Sequence, residues 1–154
     1  MVFSSVLFLG IFLPLVLLFY NISKKVNYRN VILLIASLIF YAWGEPKLII
    51  LLISTAFVGY IAGLFIHKFQ GKWQAKFSLI FALVIGLGSL GLFKYSGFVV
   101  ENIGNILGVD FGFAGFALPL GISFYTFQIL SYVIDMYRGE VKVQKSFWKF
   151  LLYV

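Results

Sequence analysis

Four polar side chains recur on one side of a long apolar stretch near the C-terminal end of the sequence. The stretch, residues 118–141, reads LPLGISFYTFQILSYVIDMYRGEV. At about 100° per residue, its four polar positions fall on one side of an α-helix, and we name them the polar stripe. The stripe consists of Gln128, Ser131, Tyr132 and Asp135, and the opposite, apolar side consists of Ile122, Phe127, Ile129, Leu130, Val133 and Ile134.

An ionisable side chain inside such a stretch is costly. An aspartate at the centre of a membrane helix costs about 2.5–3.5 kcal/mol on insertion scales. In a structural interpretation, Asp135 lowers this cost by forming an ion pair with Arg138, three residues further along the helix. In a functional interpretation, the polar stripe lines a path for a substrate or an acyl group within a larger helix bundle.

The rest of the sequence offers little catalytic chemistry. It contains no cysteine, which excludes a disulfide, a thiolate ligand and a thiol nucleophile. The single histidine, His67, lies at a predicted helix end beside Lys68, which is typical of an interfacial side chain. The sequence has no metal-ligand cluster, phosphate-binding glycine loop or nucleic-acid-binding pattern. We therefore assign no catalytic residue, no metal and no bound cofactor.

Composition defines the class of protein. Hydrophobic residues make up 62% of the 154 residues and charged residues only 11%, whereas a soluble domain has about 25% charged residues. This composition indicates an all-α polytopic membrane protein whose first partner is the lipid bilayer. The net charge of +7 does not indicate a nucleic-acid partner, because the basic residues are confined to short loops between apolar runs.

The apolar runs predict about five transmembrane helices, with the start of a further one after Ser146. No linker divides the chain, so residues 1–154 are interpreted as one membrane unit. The predicted crossings are residues 3–22, 28–43, 48–66, 77–93 and 118–141.

Proline and glycine predict where these helices bend, touch or stop. Pro14 should kink the first helix, because proline has no backbone N–H to donate. Gly59 and Gly63 have the spacing of small residues that lets two membrane helices approach closely. Residues 96–117 are rich in glycine, which argues against a continuous helix there. A short interfacial helix is predicted near 98–107, separate from the preceding crossing.

Lysine and arginine alternate between the loops. The first, third and fifth loops, residues 24–29, 68–76 and 138–149, hold ten of them, and the second and fourth loops hold two. Loops rich in lysine and arginine remain on the cytoplasmic side of a membrane. The alternation predicts a multi-pass protein of the inner or plasma membrane, with its N-terminus outside.

Three segments of the sequence resemble the bacterial branch of the membrane-bound O-acyltransferase family. They are FYAWGEP at 40–46, LPLGISFYTFQ at 118–128 and SYVIDMYRG at 131–139. The resemblance covers the whole chain, which looks like the N-terminal part of such a protein. It implies transfer of acyl groups, here acetyl, to hydroxyls of a cell-surface polysaccharide such as alginate, with acetyl-CoA or a similar acyl thioester as donor.

The resemblance also implies partners and a missing residue. The partners would be the remainder of the acyltransferase and periplasmic or extracellular proteins that pass the acetyl group on. No position of this sequence matches the family's catalytic-histidine segment, which would lie beyond Val154, so the chain alone is expected to be inactive. Without the resemblance, two other classes stay open. They are a transporter component, which a polar stripe also suits, and a non-catalytic structural subunit.

Overall fold

The computed structural model describes residues 5–44, 46–109, 116, 119 and 121–154. Within these residues the chain is helical and has no strand, which confirms the all-α class. A π-helical turn, Phe8–Phe12, leads directly into helix α1, Leu13–Asn21. The other helices are α2, Val26–Gly44; α3, Ile49–Lys68; α4, Trp73–Leu107; α5, Ile122–Arg138; and α6, Phe147–Tyr153.

The helices have the lengths and surfaces of a membrane protein. Among those described, α2, α3 and α4 are long and apolar enough to cross a bilayer, and the segment Phe8–Asn21 is a shorter apolar helix. Helix α5 has 17 residues. Large apolar side chains such as Ile50 and Val84 are exposed on the outer faces of the helices. Exposed apolar surface on this scale is typical of helix faces that contact lipid or further membrane helices.

Helix α3 lies at the centre and packs against both α4 and α5. Its contact with α5 runs through two glycines. A Cβ atom added at Gly63 would lie 2.7 Å from the ring of Tyr132, and one added at Gly59 would overlap Ile129. Only glycine therefore fits at these positions, and the close approach predicted from their spacing is confirmed.

Helix α4 holds α5 from the other side in a similar way. A Cβ atom added at Gly86 would lie 2.9 Å from a methyl group of Leu130. Nothing lies within 4 Å of such an atom at Gly88 or Gly91. Lipid chains are as apolar as the helices, so van der Waals contact at such small residues is what holds membrane helices together. Helix α5 is thus clamped between α3 and α4.

The predicted end of the fourth crossing near residue 93 is wrong. Residues 98–107 are helical, as expected, but they are the last ten residues of α4 and not a separate helix. Glycine within a helix costs about 1 kcal/mol but keeps its N–H donor, and the segment contains no proline that would interrupt the hydrogen bonds. Its 35 residues make α4 about 52 Å long.

The kink predicted at Pro14 stays a prediction. Pro14 occupies the first turn of α1, and the chain before it winds as the π-helical turn Phe8–Phe12. Helix irregularities of this kind accommodate the hydrogen bond that proline cannot make. Helix α6 begins at Phe147, directly after Ser146, as predicted.

We expect Gly59→Leu to destabilise the protein, because the new side chain collides with Ile129 between α3 and α5. Overpacking of this kind lowers the free energy of unfolding by about 1–3 kcal/mol. Unfolding of the purified protein in mixed micelles, titrated with a denaturing detergent, measures the change.

Gly88→Leu is the matched control, because nothing lies within 4 Å of the added carbon at that position. Combining Gly59→Leu with Ile129→Ala should restore part of the stability. Equal loss of stability in the two glycine variants would contradict the close α3–α5 contact.

Candidate functional site

A cavity of about 470 Å³ lies between the N-terminal helix, α2, α5 and the end of α6. One wall is a cluster of three rings, Phe8, Phe12 and Phe40, whose centroids are 5.1–6.0 Å apart. The volume is that of a site for a small organic molecule. Polar residues interrupt the otherwise apolar lining, namely Ser37, Tyr41, Tyr125, Gln128 and Tyr153.

Helix α5 supplies two of these polar residues, one turn apart. The side-chain amide of Gln128 donates a hydrogen bond to the backbone carbonyl of Tyr153 at the end of α6, which fixes the amide in place. Tyr125 is only 4% exposed and lies on the buried face of α5. Amide and phenol groups hydrogen-bond to carbonyl and hydroxyl groups of a ligand.

The described lining contains no histidine, lysine, arginine or carboxylate. A general base for an acceptor hydroxyl needs a pKa near neutrality, and neither an amide nor a phenol has one. This part of the cavity can bind and orient a ligand, and a proton acceptor would have to come from elsewhere.

The cavity lies towards the end of the bundle where α2 ends and α5 begins. Tyr41, near the end of α2, and Gly121, directly before α5, both line it. Helix α3 contributes Leu52, and His67 follows fifteen residues later, about 22 Å along the same helix. His67 therefore lies at the opposite end and does not line the cavity.

The four members of the polar stripe do not share one site. Gln128 lines the cavity, Ser131 is exposed, and Tyr132 and Asp135 are half-buried. The role of the polar stripe in a substrate path stays a prediction, and the structure places only Gln128 at the cavity. The fully packed face of α5 is the other, mainly apolar side, formed by Ile122, Tyr125, Thr126, Ile129, Leu130, Val133 and Met136.

Tyr132 instead holds a non-helical segment, residues 140–146, which we name the return segment. Its hydroxyl accepts a hydrogen bond from the backbone N–H of Gln144 at 3.1 Å, and the hydroxyl of Tyr60 on α3 donates to the carbonyl of Lys145 at 2.7 Å. The Tyr132 ring lies 4.8 Å from that of Phe150 on α6. These bonds pair two backbone groups of the segment that no helix pairs.

The predicted ion pair between Asp135 and Arg138 is not formed. Arg138 pairs with Glu140 at 3.6 Å. Gly139 has φ 78°, which ends α5 and folds the chain back so that the Glu140 N–H bonds to the Asp135 carbonyl. Both side chains of the Arg138–Glu140 pair are more than half exposed, so it contributes at most about 1 kcal/mol.

Sequence reasoning missed two tyrosines of the cavity. Tyr41 lies near a helix end, where tyrosine is typical of the membrane interface. Tyr125 lies three residues before Gln128, so extending the polar stripe by one turn towards the N-terminus would have included it. The spacing of Tyr125 and Gln128 was therefore visible in the sequence, but a tyrosine is also common on the apolar face of a helix.

These features define an all-helical membrane protein with a ligand-sized cavity whose lining is apolar apart from a few uncharged polar residues. No family model matches the chain, and no solved structure is similar to it.

Curated proteins do match it. The chain is 40% identical to the probable alginate O-acetylase AlgI of Pseudomonas aeruginosa, over all of this chain and 30% of that protein. It is 39% identical to the protein of the same name from Azotobacter vinelandii, over all of this chain and 32% of that protein. It is 34% identical to the peptidoglycan O-acetyltransferase of Helicobacter pylori, over 94% of this chain and 28% of that protein.

The chain spans about a third of the length of the curated relatives it matches. The similarity extends along its whole length and includes all three segments on which the resemblance rests. The resemblance to the bacterial branch of the membrane-bound O-acyltransferases is thereby confirmed, and the chain is a relative of bacterial O-acetylases.

We expect Tyr132→Phe and Tyr60→Phe each to loosen the return segment, because each removes one hydroxyl bonded to its backbone. A hydrogen bond contributes about 0.5–1.5 kcal/mol, so amide exchange of residues 140–146 should accelerate roughly two- to tenfold. Hydrogen–deuterium exchange with mass spectrometry measures the rate.

Tyr137→Phe serves as the control, because its side chain is exposed near the end of α5. The same exchange rate in Tyr132→Phe and Tyr137→Phe would show that the hydroxyl of Tyr132 does not hold the segment.

Proposed function

We propose that this chain is part of a membrane O-acetyltransferase that transfers acetyl groups to hydroxyls of a cell-surface polysaccharide such as alginate. The observation that carries the proposal is the 40% identity, along the entire chain, to a probable alginate O-acetylase. The donor is acetyl-CoA or a similar acetyl thioester. The partners are the remainder of the acyltransferase and periplasmic or extracellular proteins that carry the acetyl group onward.

The cavity supports this proposal through its chemistry. An acetyl group offers a carbonyl oxygen that accepts hydrogen bonds, and a sugar offers hydroxyls that both donate and accept. Gln128 provides a matching amide within a mainly apolar lining. Its part in the reaction is to bind and orient. A base outside the described lining accepts the proton of the attacking hydroxyl.

The distribution of charge supports an orientation in the inner membrane with the N-terminus outside. Two observations are consistent with basic loops at one end of the bundle. The side-chain amide of Gln70, in the third loop, lies 3.0 Å from a Cβ built at Gly139, in the fifth loop. Asn27, near the first loop, and Lys149 line the same surface groove. With these loops in the cytoplasm, the cavity lies in the outer half of the membrane, on the side of a surface polysaccharide.

The complete gene that encodes this chain should restore ester-linked acetyl groups to alginate in a strain whose alginate O-acetylase is deleted. Gln128→Leu should lower the restored acetyl content about tenfold, because the apolar side chain offers a ligand no hydrogen bond and removes the bond from α5 to the Tyr153 carbonyl. Nuclear magnetic resonance of the purified polymer measures the acetyl esters.

Tyr137→Phe is the control, because Tyr137 lies on the same helix but is exposed outside the cavity. Immunoblots must show equal amounts of protein. Normal protein levels with no acetyl ester on alginate would contradict alginate as the acceptor. Acetyl esters on peptidoglycan instead would show that the acceptor is peptidoglycan, the polymer named for the Helicobacter pylori relative.

The orientation has a direct test, because the chain contains no cysteine. We expect Lys24→Cys, Lys72→Cys and Lys142→Cys to resist a membrane-impermeant thiol reagent added to intact cells, and to react after lysis. Lys47→Cys and Glu101→Cys should react in intact cells. The opposite labelling pattern would show that the N-terminus lies on the cytoplasmic side and would contradict the proposed orientation.

A further inference from the structure

A second groove of about 650 Å³ runs along the outer face of the protein between α3 and the first turns of α4. Two small residues, Ala62 on α3 and Ser78 on α4, lie in its lining. The walls are aromatic, and they expose about half or more of each ring at Phe57, Phe65, Trp73, Phe77 and Phe81.

One end of the groove is positively charged. The loop between α3 and α4 carries Lys68, Lys72 and Lys76, and all three side chains are exposed. The ammonium of Lys68 lies 5.5 Å from the centroid of the Phe69 ring, which lines the groove. Lys72 and Lys76 each precede an aromatic lining residue directly. No acidic residue occurs between 46 and 100, so nothing in this part of the sequence neutralises the cluster.

The groove has the depth of one leaflet of a bilayer. The wall from Phe57 on α3 to Phe69, directly after α3, covers twelve residue steps, or about 18 Å at the rise of an α-helix. Half of the hydrocarbon core is about 15 Å thick. The charged end therefore lies at headgroup level when the aromatic walls lie beside the acyl chains of the same leaflet. Trp73 and Gln74, at the charged end, are residue types suited to that boundary.

We infer that this groove binds an anionic phospholipid of the surrounding bilayer. One acyl chain lies along the aromatic walls, and the headgroup phosphate is held by Lys68, Lys72 and Lys76. The charge complementarity selects this occupant over a zwitterionic lipid and over an apolar segment of protein, since a lysine near an anionic surface contributes about 1 kcal/mol. The inference does not depend on the proposed acetyl transfer.

Fluorescence of Trp73 reports on the occupant, because this side chain is 77% exposed in the groove. Trp43→Phe and Trp148→Phe leave Trp73 as the only tryptophan of these 154 residues. The protein is placed in phosphatidylcholine vesicles that contain a minor fraction of lipid with brominated acyl chains, which quench tryptophan on contact. We expect brominated phosphatidylglycerol to quench at a concentration about fivefold lower than brominated phosphatidylcholine, the factor for one lysine.

The triple substitution Lys68→Gln, Lys72→Gln, Lys76→Gln should abolish this preference. Lys142→Gln, Lys145→Gln, Lys149→Gln is the matched control, since it removes the same charge from another basic loop and should keep the preference. Equal quenching by both lipids in the parent protein, or equal loss of preference in the two triple variants, would overturn a specific site. Absence of quenching by either lipid would show that protein covers the groove, and would also overturn it.

Discussion

The close contact between the glycines of α3 and helix α5 is the constraint on which the described structure depends. Gly59 and Gly63 admit Ile129 and Tyr132 so closely that α5 cannot rotate without a collision. These two contacts determine which side of α5 is packed against other helices and which side is less buried. In lipid no hydrophobic driving force selects that orientation, so the shapes of the two helix surfaces must do so.

The orientation of α5 in turn arranges everything C-terminal to it. With Ile129 packed on Gly59, Gln128 lies at the cavity and Tyr132 lies over the return segment. Tyr132 also contacts Phe150, so α6 is held with the Tyr153 carbonyl at the Gln128 amide. The cavity is therefore built from elements far apart in sequence, and its polar groups come from helices that pack for other reasons. A binding site of this kind can be precise without any charged residue.

The sequence predicted the parts of this arrangement that depend on local chemistry. The apolar runs predicted where the helices lie, and the spacing of Gly59 and Gly63 predicted the close contact of α3 with another helix. Both features depend on composition and periodicity, which can be read from the sequence. The Asp135–Arg138 pair failed because Gly139 turns the chain directly after Arg138 and brings Glu140 within reach of the Arg138 guanidinium. The predicted helix end near residue 93 was wrong because glycine lowers the stability of a helix without ending it. Tyr41 and Tyr125 were missed because their meeting depends on how distant helices pack.

The length of α4 has a mechanical consequence. Membrane helices incline by at most about 40° from the bilayer normal, and at that angle a 52 Å helix still reaches about 40 Å along the normal, beyond the 30 Å of the hydrocarbon core. Even at that tilt, exposed apolar side chains at the end of α4, such as Ile106, lie among the headgroups. A thinner or thicker bilayer changes the tilt angle of α4. Because Gly86 of α4 bears on Leu130 of α5, bilayer thickness is transmitted to the helix that shapes the cavity.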